Sequence, residues 1–238
     1  FHQAAIRYYE RSANEARNHD EKENASIALN RLGNVYSEVE DWSRARICFE
    51  ESLKNLKDNK KSNLYKQVLK DLGHVYRMQS DFHRAEKCYR TILENIDISD
   101  RKGRSDTLNH LGDLFKIQEE MTLAEECYQK SLSESERSND LNGAADALAA
   151  LGSVFQTTGD LERAKNSFDK ALHILDDLGD KAKAARIQND LGDIYFQEGK
   201  WQEARDFYAK NLSWLMSNDP HAAASAYKRM GLCDIEIG

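Results

Sequence analysis

Proline is nearly absent from this chain: one residue in 238, Pro220. So few helix breakers leave room for long uninterrupted helices. Cysteine is scarce, with four residues and no Cys-x-x-Cys pair, which leaves zinc and dithiol motifs without support. Free thiols of this kind fit a reducing, cytoplasmic setting. No apolar run approaches the length of a bilayer span, and no basic-then-apolar leader opens the chain. Positive charge does not dominate either: 34 Lys and Arg stand against 41 Asp and Glu, a net charge of −7. A nucleic-acid partner needs a concentrated basic surface. The one basic stretch, "KDNKKSNLYK", is a single connector that the neighbouring units do not continue. There is no His-Glu-x-x-His, no phosphate-cradling glycine loop and no nucleophile–base arrangement. These readings imply no enzyme, no cofactor, no membrane and no nucleic acid.

What the chain does contain is repetition. A Leu-Gly pair recurs at Leu32-Gly33, Leu72-Gly73, Leu111-Gly112, Leu151-Gly152 and Leu191-Gly192, with Met230-Gly231 as a weaker sixth copy. The steps between glycines are 40, 39, 40, 40 and 39 residues. Three residues after each of the first five glycines stands an aromatic: Tyr36, Tyr76, Phe115, Phe155, Tyr195. Further on come Ala45, Ala85, Ala124, Ala164 and Ala204, then Phe49, Tyr89, Tyr128, Phe168 and Tyr208. Internal repeats at such a period mark stacked supersecondary units.

The spacing within one copy states the local structure. Leu29, Leu32, Gly33 and Tyr36 form the apolar stripe of one helix, near 26–38. Ala45, Phe49 and Leu53 form a second stripe near 42–57, and "EVED" breaks the two. Each unit is therefore a helical hairpin, helix A followed by helix B. A mid-helix glycine costs roughly 1 kcal/mol against alanine, so its recurrence implies a steric need. Gly33 and Ala45 are expected to let the two backbones approach, with aromatics filling the wider space. Six glycines occupy the helix A position; Gly159, Gly199 and Gly238 are assigned to the A–B turn and Gly103, Gly143 and Gly179 to connectors.

Leu-x-x-Leu-Gly-x-x-Tyr followed by Ala and an aromatic resembles the tetratricopeptide repeat over essentially the whole chain. The units run longer than that family's usual 34 residues and are similar to the long-repeat arrays of spindle-orientation adaptors and kinesin light chains. The resemblance implies an all-α, right-handed superhelical solenoid of antiparallel helical hairpins, with helix A lining a concave face. The expected divisions are a lone helix B at 1–20, repeats at 26–60, 66–100, 105–140, 145–180 and 185–217, and a lone helix A at 221–238. With both ends falling inside a repeat, the chain is expected to be a segment of a longer array.

Function is expected on the helix A face opposite the apolar stripe. That face carries Asn30, Asn34 and Ser37, then Lys70, His74 and Arg77, then Asn109, Asp113 and Lys116, then Asn189 and Asp193. Asparagine donates and accepts at once, which suits gripping a peptide backbone. Lys70, His74 and Arg77 form a basic patch, while Asp106, Asp113, Asp146 and Asp193 lend the other half negative charge, so a bipolar peptide complements the face. Family members that grip chaperone tails use a Lys/Asn/Arg clamp; here His74 and Asp113 interrupt it. Cys48, Cys88 and Cys127 are one structural position repeated, about 10 Å apart, too far for disulfides. The expected function is a non-catalytic scaffold that binds a peptide segment of a partner protein. The alternative is a sensory or autoinhibitory segment of a larger signalling protein, such as a switch ATPase or transcription regulator, binding another domain of its own chain.

Overall fold

A computed structural model describes residues 2–210 and 212–238. Among the described residues every regular element is an α-helix, and there are thirteen. The chain divides into two compact units, Phe1–Gln118 and Glu119–Gly238. The first holds α1 (His2–Asn18), α2 (Lys22–Glu38), α3 (Trp42–Asn55), α4 (Asn63–Met78), α5 (Phe82–Asn95) and α6 (Arg101–Ile117). The second holds α7 (Met121–Arg137), α8 (Leu141–Thr158), α9 (Leu161–Leu178), α10 (Lys181–Gln197), α11 (Trp201–Ala209), α12 (Leu212–Asn218) and α13 (Pro220–Ile237). The all-α hairpin architecture read from the spacing is the one found.

Helix starts are marked by aspartate. Asp41, Asp81 and Asp160 each accept a hydrogen bond from the backbone N–H three residues on, capping α3, α5 and α9. Such a cap satisfies one of the donors orphaned at a helix N-terminus and stabilises by about 1 kcal/mol. The A–B turn needs one left-handed residue. Gly159 and Gly199 supply it at φ of 83° and 73°, but Glu40 and Ser80 adopt φ of 59° and 60° without that freedom.

The repeated glycine has a different neighbour from the expected one. A β-carbon on Gly33 would lie 2.5 Å from Phe49 Cε1, and one on Gly152 would lie 2.6 Å from Phe168 Cδ1. Gly73 and Gly192 stand in the same relation to Tyr89 and Tyr208. The steric need is thus the seat of helix B's aromatic ring, rather than close approach at the helix B alanine. A cation from helix B lies over helix A's own aromatic ring in three copies: Arg44 over Tyr36, Arg84 over Tyr76 and Arg163 over Phe155.

Two further departures stand out. Gly103 and Gly143 lie inside the first turns of α6 and α8, where their N–H groups reach Asp100 and Asp140. After α10, the segment expected to be one second helix ends at Ala209 as α11, and a further short helix, α12, starts at Leu212.

Candidate functional site

In the first unit the candidate residues lie on α2, α4 and α6. Asn30 is only 6% exposed, yet its side-chain carbonyl oxygen is buried without a hydrogen-bond partner. Asn109, at the equivalent place on α6, has the same orphaned Oδ1. Buried carbonyls without partners are uncommon and each carries a desolvation cost of about 1–3 kcal/mol. Asn34 is half-buried beside them.

The basic patch is smaller than its three residues imply. Lys70 Nζ pairs with Asp106 Oδ2 at 2.9 Å. His74 Nδ1 lies 3.0 Å from Arg77 Nη2. A guanidinium only donates, so His74 Nδ1 accepts and the ring's proton sits on Nε2. Burial, and then Arg77 and His110, hold the His74 imidazolium pKa below its usual range, leaving the ring neutral near pH 7. Positive charge there rests on Arg77, whose Nε is itself buried without a partner. Asp113 and Lys116 are engaged within the structure rather than free.

Two residues beside this face were not among the binding candidates read from the sequence. Asp71 follows Lys70, and burial pushes its carboxyl up to about 6 against the smaller opposing effects of Gln67, Lys70 and Arg31. Gln67 Nε2 donates to Asp71 Oδ1 at 2.8 Å, while Asp71 Oδ2 is buried and unpaired. His110 stacks on Tyr89 with ring centroids 5.7 Å apart, and burial lowers its pKa as well. Both stand two residues before their glycine, where other copies carry Arg31, Ala150 and Asp190. No pattern in that column marks them. Side-chain atoms of Asn30, Asp71, Arg77 and Asn109 that are buried without a hydrogen-bond partner therefore stand on α2, α4 and α6.

The second unit distributes its candidates differently. Asp193 on α10 is tied down: Tyr208 Oη donates to Oδ1 at 2.6 Å, and Arg229 Nη1 lies 2.9 Å from Oδ2. Burial, then that hydrogen bond, raises the Tyr208 phenol well above its ordinary pKa. Asp146 on α8 pairs with Lys183 at 2.6 Å. The negative charge expected along this face is thus largely neutralised by neighbouring helices. Asn189 is half-buried and has no hydrogen-bond partner among the described residues. No described helix is long and apolar enough to cross a membrane.

Comparisons with known proteins accord with this architecture. The sequence pattern of the soluble NSF attachment protein (SNAP) family matches residues 101–230, over half of the chain, and a tetratricopeptide repeat pattern matches residues 28–64. No curated protein matches the chain. The solved structure of BtubC (BKLC) from P. vanneervenii is similar with 21% identity and a TM-score of 0.77, over 91% of this chain and 92% of that one. Pseudomonas aeruginosa pilF is similar with 18% identity and a TM-score of 0.62, over 86% and 90%. MamA is similar with 19% identity and a TM-score of 0.58, over 80% and 98%. At such identities the structural likeness is one of fold. Helical repeats of these two families generally mediate protein–protein interaction.

Proposed function

This chain belongs to the soluble NSF attachment protein family, and from that premise we propose that it is a non-catalytic interaction scaffold that holds a peptide segment of a partner protein against its helix A faces. The observation that carries this reading is the pair Asn30 and Asn109. Both present amide side chains on one face with a carbonyl oxygen left unsatisfied. A peptide backbone offers an N–H donor and a C=O acceptor at each residue, and a small rotation of either side chain lets it use both. A ligand that satisfies groups the free protein leaves unpaired recovers a cost already present.

Charge plays a narrower part. Lys70 is held by Asp106, and His74 is neutral, so of these three residues Arg77 supplies the fixed positive charge. Selectivity there rests on Arg77 and on the asparagine amides rather than on a three-residue basic cluster.

The test is selection from a displayed library of random peptides on the intact chain, repeated on the Asn30→Ala/Asn109→Ala variant. The expected result is enrichment on the parent that disappears on the variant while the helical circular dichroism stays the same. Equal enrichment on both would remove the asparagines from the binding surface.

A further inference from the structure

The basic connector at 57–66 has no part in the helix A face, yet it holds four lysines against one aspartate in a chain of net charge −7. It leads into α4, and its last residue, Lys66, lines a cleft of about 220 Å³ between α4 and α6. Lys66 Nζ stands 3.1 Å from Asp100 Oδ2, and one turn on Lys70 Nζ stands 2.9 Å from Asp106 Oδ2. Two ion pairs thus join the helices along the cleft. Ile92 and Ile96, both buried, bring apolar surface to it from α5 and that helix's C-terminal end. Gly103 lines it from α6 and adds no side chain.

Substitution between copies explains why the cleft opens here. One hairpin earlier, Ser26 and Ser52 hold the columns of Lys66 and Ile92. Each serine hydroxyl donates to the other's backbone carbonyl, at 3.3 and 3.0 Å, and ties α2 to α3. A lysine and an isoleucine cannot make that bridge. The column of Gly103 likewise holds Leu64 in the earlier copy. Water over Ile92 and Ile96 finds few partners, so an apolar group that displaces it gains affinity. Each ammonium carries three N–H donors and gives one to its aspartate. Both oxygens of Asp100 are taken, since Oδ1 accepts from the Gly103 N–H at 3.0 Å. What remains at that pair is donor capacity.

We propose that this cleft anchors one large apolar side chain, a leucine or a phenylalanine, of a partner peptide whose neighbouring residues are acidic. The proposal rests on the reading of the first unit as a peptide-binding surface and adds an anchor point beside Lys70. The apolar side chain covers Ile92 and Ile96; the carboxylates next to it share the ammonium donors of Lys66 and Lys70 and face the lysines of the connector. The volume suits one such residue, since an apolar cavity of about 150 Å³ takes a benzene ring. Lys66 and Lys70, four residues apart, are separated by about 6 Å along α4. That is close to the ~7 Å between the two residues that flank a third in an extended chain. A basic peptide meets the connector's lysines with like charge.

Fluorescence anisotropy with short labelled peptides tests this. The first centres on Glu-Leu-Glu, the second has alanine for the leucine, and the third has lysine for both glutamates. The first binds the intact chain about tenfold or more tighter than either of the others. Lys66→Gln/Lys70→Gln weakens its binding about tenfold at unchanged circular dichroism. Ile96→Ala, which widens the cleft, shifts the preference from leucine towards tryptophan at the centre of the peptide. A surface that only carries charge would not respond in that way. Equal affinity for the leucine and alanine peptides, preference for the lysine peptide, or binding untouched by Lys66→Gln/Lys70→Gln overturns the proposal. So does sedimentation showing a dimer of the chain that the same variant abolishes. If the leucine peptide fails while library peptides still depend on Asn30 and Asn109, the cleft falls and the broader reading stands. If the leucine peptide binds as expected while library enrichment ignores the Asn30→Ala/Asn109→Ala change, the cleft stands and the asparagines drop out.

Discussion

The ring of Phe49 lies so close over Gly33 that a β-carbon there would stand 2.5 Å from its Cε1. Around Gly231, by contrast, nothing lies within 4 Å of such a carbon. The same substitution therefore has opposite signs at two copies of one motif. Gly33→Ala forces Phe49 from its seat and destabilises by about 1–3 kcal/mol despite alanine's better helix propensity. Gly231→Ala meets no obstacle and stabilises by roughly 0.5–1 kcal/mol. Thermal unfolding of the two variants checks this; equal signs would show that the ring is not the reason for the glycine.

Ser80 turns the chain from α4 to α5 at φ of 60°, the job that Gly159 does at 83°. A left-handed conformation costs a side-chain-bearing residue roughly 1–2 kcal/mol. Ser80→Gly is expected to raise the unfolding midpoint, and Gly159→Ala to lower it, each by a few degrees for a change of about 1 kcal/mol. Both are read from the same melting curves.

Asp71 makes stability depend on pH in a particular direction. Burial raises its folded pKa to about 6 from the ordinary 3.8, so the folded state binds the proton more tightly. Its contribution to stability is therefore full below pH 3.8 and is lost as pH rises through 6. His74 and His110, whose pKa values burial lowers, act oppositely: their contribution is full above the ordinary value of 6.5 and is lost as pH falls from there through their lower folded values. Asp71→Asn removes only the first effect. It should stabilise the chain at pH 8 and lose that advantage at pH 4; a gain that is constant across this range would refute the assignment.

Cys48 and Cys88 are buried, and burial pushes their thiols up to about 11 and about 12. The thiolate is the reactive form. Neither should be alkylated by iodoacetamide at pH 8 in the folded chain, and both should be labelled at once in denaturant. Mass spectrometry of the labelled peptides distinguishes the cases, and rapid native labelling of Cys88 would contradict its burial.

The hairpins were legible because packing repeats: the columns of Leu32, Gly33, Tyr36 and Phe49 recur every 39 or 40 residues. What Gly33 accommodates was not legible, since both Ala45 and Phe49 recur with it, and only the contact shows that the ring takes the space. The polar columns were less readable still. Asp193 is held by Tyr208 and Arg229, the latter 36 residues away. Lys70 is likewise held by Asp106, 36 residues on. A polar residue on an exposed face reads the same whether it serves a neighbour or a ligand. Telling them apart requires the pairing between successive helices, as between Lys70 and Asp106 or Asp193 and Arg229, which belongs to the stacking rather than to either helix.

That pairing also constrains how such a chain can change length. Lys183 finds Asp146 while the count from Lys183 to Gly192 is kept, so one residue added between those two within α10 would rotate Lys183 by about 100° against the packed glycine face and part it from Asp146. An added whole hairpin would instead carry its own glycine and ring with it. The chain tolerates growth by duplication of a complete module, and resists it by single residues within one.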